Sequence, residues 1–80
     1  MILNITWSGI SADTDVNFDT NVSDRDVKRV AIELVRSGGV PGLHVSTLPA
    51  HAFDDFVVDR FDTPDGGRRL FLRPKVPFGA

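Results

Sequence analysis

Between positions 13 and 21 an acidic or amide residue recurs at every second place: Asp13, Asp15, Asn17, Asp19 and Asn21, with Asp24 close behind. Oxygen ligands at this spacing are the raw material of a helix–loop–helix calcium site. Counted from Asp13, the five fall on the odd positions of a twelve-residue loop and Asp24 on its last. The sixth position of such a loop turns through a conformation suited to glycine, and Phe18 stands there. The last position is a bidentate glutamate, and Asp24 reaches less far. The residues ahead of Asp13 alternate and leave no room for an entering helix. The run therefore reads as a β-strand, with Thr14, Val16, Phe18, Thr20 and Val22 on one side and the polar set on the other. No metal site is expected.

Nucleophilic chemistry has few parts available. There is no cysteine, and the histidines are His44, between Leu43 and Val45, and His51, in a Pro/Ala-containing stretch. A triad needs a nucleophile, a base and an orienting acid brought together, and a domain this small leaves little volume for a substrate pocket. Asp54 and Asp55 are adjacent on an expected turn, where their side chains point apart. The chain is read as non-enzymatic, with no catalytic residue and no cofactor.

The remaining chemistry lies at the C-terminal end. Residues 68–80 carry Arg68, Arg69, Arg73 and Lys75 with no acidic side chain, whereas residues 1–26 carry five aspartates against Arg25 alone. The basic residues are either a charged edge strand that blocks sheet-to-sheet aggregation or a docking surface. Docking is favoured by the tail RPKVPFGA, which joins charge to Val76 and Phe78 and is kept extended by its prolines. The expected partner-binding set is Arg69, Phe71, Arg73, Lys75, Val76, Phe78 and Gly79; Val76 and Phe78 could instead fold back on the core.

Eighty residues, 41% apolar and 25% charged, must position these groups as one domain, which buries only about 60% of its unfolded surface. Its expected bounds are 1–74, with 75–80 an extended tail. The formal net charge of −2 argues against general nucleic-acid binding, and no apolar run has the length of a membrane span. No signal-peptide pattern is visible, and the absence of cysteine suits a reducing compartment, so the expected location is cytoplasmic.

The elements follow from periodicity. Ile2 to Trp7 alternates as a strand, and with the run after it suggests an antiparallel hairpin. Ser23 is an N-cap with Asp26 three residues on, and Val27, Val30, Ala31, Leu34 and Val35 form a helical stripe that Gly38, Gly39 and Pro41 terminate. Asp24 with Lys28 and Arg29 with Glu33 are spaced as i,i+4 pairs. A short strand is expected at 43–46. FVVDRF and RRLFLR, flanking DTPDGG, read as a second hairpin. The expected core is Leu3, Ile5, Val16, Phe18, Val27, Val30, Leu34, Leu43, Val45, Leu70 and Leu72.

This ββαββ order, an α+β design with one helix across one face of a four- or five-stranded mixed sheet, resembles the ubiquitin-like β-grasp family. The helix ending RSGGVPG, the segment AFDDFVV at 52–58, similar to the turn before the last strand of such domains, and the strand RRLFLR running into a tail carry the resemblance. It implies a non-enzymatic module that binds another protein through its sheet face and tail. The alternative it implies is a modifier or sulfur carrier acting through its C-terminus. Such proteins end in Gly-Gly, whereas this chain ends Phe78-Gly79-Ala80, so that chemistry requires loss of Ala80 or tolerance of a single glycine.

Overall fold

The computed structural model describes residues 1–75. Its elements are β1 (Ile2–Trp7), β2 (Ile10–Asp15), α1 (Asp24–Ser37), β3 (Val57–Asp62) and β4 (Arg68–Arg73). They build an α+β domain with one helix and one four-stranded sheet. The strand order is β2-β1-β4-β3, with β1 and β4 parallel at the centre and the outer pairs antiparallel, so the sheet is mixed.

Ser8 and Gly9 join β1 to β2, and both have positive φ, 50° and 81°. Two left-handed residues make the turn whose twist matches that of the flanking strands. The turn sets the register, placing Trp7 opposite Ile10 and Ile2 opposite Asp15. The second strand is thus shifted from its expected place: it begins at Ile10 and ends at Asp15. Alternation continues beyond Asp15, but β1 supplies only six residues. The last rung is the Val16 N–H donating to the Met1 carbonyl at 3.0 Å. Past that rung the chain crosses to the helix, with Val16, Phe18 and Val22 half-buried.

Helix α1 has the expected ends. The Ser23 hydroxyl oxygen accepts from the Asp26 N–H at 3.1 Å, and Gly38 closes the helix at φ 81° with its N–H on the Leu34 carbonyl. Its buried stripe is rotated from the expected one. Val27, Ala31, Ile32 and Val35 are buried, while Val30 and Leu34 are only half-covered. The cause is residues 40–56, which cover the Ile32 side of the helix. The i,i+4 ion pairs also differ, since Asp24 meets Arg60 at 2.5 Å and Arg29 meets Asp26 at 3.6 Å.

No strand forms at 43–46. Residues 40–56 run instead as a series of turns that bury Val40, Leu43, Leu48 and Phe53. Hydrogen bonds tie this segment to the end of α1: the Val45 N–H donates to the Val35 carbonyl at 3.1 Å, and Arg36 Nε donates to the Leu48 carbonyl at 2.6 Å. His44 is exposed rather than set in a strand, its Nε2 lying 3.1 Å from the Arg36 carbonyl. Phe53 packs edge-on to Trp7 at 5.7 Å between ring centroids and lies 4.9 Å from Phe56. This aromatic trio and the β-strand leucines Leu3, Leu70 and Leu72 fill the space between helix and sheet. Among the described residues, no helix is long and apolar enough to cross a membrane.

Candidate docking face

Strand alternation sends Leu3, Ile5, Leu70 and Leu72 under the helix and turns their neighbours to the opposite, uncovered face. Arg69, Phe71 and Arg73 therefore project from one side of β4. The strand is interior, flanked by β1 and β3, which removes the edge-strand explanation for its charge. Lys75 is exposed just beyond β4. Val76, Phe78 and Gly79 lie outside the described residues.

A continuous set of contacts crosses this face. On the β2 side, Asn4 Nδ2 donates to Asp13 Oδ1 at 2.8 Å and to Ser11 Oγ at 3.0 Å. Arg69 Nη2 donates to the other Asp13 oxygen at 3.1 Å. The Arg69 guanidinium also lies 5.8 Å from the centre of the Phe71 ring. Its Nε is buried without a hydrogen-bond partner. Phe71 in turn meets Phe61 edge-on at 5.5 Å and 81°. Beyond the rings, Arg73 Nε donates to Asp59 Oδ2 at 2.5 Å.

The charge asymmetry of the sequence is therefore largely cancelled in space. Arg68 donates to Asp62 and to the Thr20 carbonyl, both at 2.9 Å, so each arginine of β4 has an acceptor within the domain. Exposed pairs of this kind contribute roughly 0–1 kcal/mol each. On the open face their effect is to hold the guanidinium groups of Arg69 and Arg73 in place on either side of Phe71.

Phe61 is the residue that sequence reasoning missed. It is 56% exposed, the most exposed large apolar side chain among the described residues. Its place could have been found from the turn DTPDGG, because the hairpin register sets Phe61 opposite Arg69 and Asp59 opposite Phe71. In that turn Asp65 accepts from the Thr63 hydroxyl and from the Gly67 N–H. The hydroxyl first, and then the amide, hold its carboxyl below the usual aspartate value.

The polar run at 13–24 is spread over three settings. Asp13 and Asp15 lie on β2, Asp19 and Asn21 in the crossing to the helix, and Asp24 in the first turn of α1 against Arg60. Among the described residues, no three His, Cys, Asp or Glu side chains come together as a metal site would require. His44 and His51 are both exposed, and Asp54 and Asp55 sit on an exposed turn.

No family model, curated protein or solved structure matches this chain.

Proposed function

We propose that the chain is a β-grasp domain of ubiquitin-like type that binds another protein without catalysis, in the cytoplasm, through its uncovered sheet face and basic C-terminal tail. The fold reading is supported by the ββαββ order and by a sheet whose first and last strands run parallel at its centre. The binding reading is carried by one observation: Phe61, on the edge strand β3, stands 56% exposed beside Phe71 on a face that no described element covers. Aromatic and arginine side chains dominate binding energy at protein interfaces, and Arg69 and Arg73 flank the rings already held by carboxylates. Pre-positioned side chains lose less conformational freedom on binding. The fitting partner presents an apolar patch with a polar rim.

The test is affinity capture from the source cells with the wild-type chain and with Phe61→Glu, whose circular dichroism is first matched to wild type. A partner that is retained by the wild type and lost with Phe61→Glu supports the sheet face. Equal retention overturns it. Intact mass of the native chain discriminates the C-terminal alternative, since loss of Ala80 or an adduct at Gly79 belongs to a modifier and not to a simple binding module.

A further inference from the structure

A second surface lies between α1 and the turns at 50–54, away from the open sheet face. It is a groove of about 420 Å³, floored by Ile32, Ala50 and Phe53. Arg25, Lys28, Arg29 and Arg36 line it, against the carboxylates of Glu33 and Asp54. Four of the chain's nine basic residues thus gather on one groove of a molecule whose net charge is −2.

These cations differ from those of the sheet in how their charge is used. The sheet arginines sit 2.5–3.1 Å from their carboxylates. In the groove, Arg29 lies 3.6 Å from Asp26 and Arg36 lies 3.9 Å from Glu33. Lys28 Nζ donates at 3.0 Å to the backbone carbonyl of Asp54, which leaves its charge uncompensated. Arg25 has no ion pair among the described residues. The positive potential of the groove is therefore available to a ligand.

The spacing of the cations selects the kind of ligand. Arg25, Lys28, Arg29, Ile32 and Arg36 follow one helical stripe of i, i+3, i+4, i+7 and i+11, which at about 1.5 Å rise per residue is a strip of about 16 Å. Charges strung along that length do not converge on one phosphate. A nucleic-acid strand is disfavoured as well. The floor offers no exposed aromatic ring for a base to stack on, Phe53 being 1% exposed.

We propose that this groove docks an acidic amphipathic peptide segment of a partner protein, with an apolar side chain over Ile32 and Ala50 and carboxylates along the cation stripe. The site is separate from the sheet face, so Phe61→Glu leaves it intact and the two readings fail independently. Trp7 supplies a built-in reporter, because its ring packs 5.7 Å from that of Phe53 at the groove floor.

The experiment titrates the full-length, isotope-labelled chain with three probes. These are a synthetic helical peptide with leucines at i and i+4 flanked by glutamates, the same peptide with glutamine for glutamate, and a single-stranded oligonucleotide of matching length. The expected result is that the acidic peptide shifts amide signals at 25–36 and 50–54 and alters Trp7 emission, and that added salt weakens it. Arg25→Gln combined with Arg29→Gln, both exposed positions, weakens it by roughly five- to tenfold without changing the circular dichroism. Equal binding of the glutamine peptide, tighter binding of the oligonucleotide, shifts confined to the sheet face, or no binding at millimolar peptide would each overturn the proposal.

Discussion

Replacing Phe53 with alanine tests whether residues 40–56 are part of the core or a cover laid over it. Phe53 is 1% exposed and touches both Trp7 and Phe56. Removing a buried phenylalanine costs about 3–5 kcal/mol through lost transfer energy and the cavity left behind. The two ring contacts, worth roughly 0.5–1.5 kcal/mol each, place this site in the upper part of that range. A domain of 80 residues has a total stability of about 4–12 kcal/mol at ~0.05–0.15 kcal/mol per residue. The variant thus loses a third or more of its stability. At about 4 °C or more per kcal/mol for this size, its midpoint falls by at least ~16 °C. Urea and thermal unfolding should be followed both by Trp7 fluorescence and by helical circular dichroism. The exposed neighbour His51 is the control, His51→Ala changing stability by less than about 0.5 kcal/mol. A loss below ~1 kcal/mol in Phe53→Ala, or a Trp7 transition well ahead of the helical one in the wild type, would refute the packing argument.

Two other outcomes follow from local geometry. Ser23→Ala removes the acceptor for the Asp26 N–H and lowers stability by about 1 kcal/mol in denaturant unfolding, whereas Ser23→Asp restores most of it. Asp65 has a lowered carboxyl pKa through Thr63 and then Gly67, so its small contribution to folding is complete above the ordinary aspartate value and disappears as pH falls through the lowered one. Nuclear magnetic resonance titration should place its midpoint below that of an unfolded reference peptide, and Thr63→Val should move it back up.

How much of this was legible in the sequence depends on whether the deciding partner is near in the chain. The ends of α1 were readable because Ser23 and Gly38 act within one turn of the residues they satisfy. The β3–β4 hairpin was readable for the same reason. The end of β2 was not, because alternation runs on past Asp15 and only the length of β1, across the turn, decides where pairing stops. Residues 40–56 carry no period at all: Val40, Leu43, Leu48 and Phe53 are buried by irregular turns, and their inward side is set by the helix they cover. That same covering turned Ile32 inward. The candidate docking face was partly readable. Alternation put Arg69, Phe71 and Arg73 together, but their acceptors Asp13 and Asp59 are distant in the chain, and Phe61 joins them only through register.

The parallel pairing of β1 with β4 has a consequence for how the molecule assembles. Each hairpin alone is a two-stranded ribbon, marginal in water, and the strand pairing that joins them sets Ile2 beside Arg69, nearly a chain length away. Closing that seam carries the loop entropy of almost the whole sequence before any of the central contacts return it. During synthesis the first strand must therefore wait, with one edge open, until the last has left the ribosome. The domain is built to appear all at once or not at all.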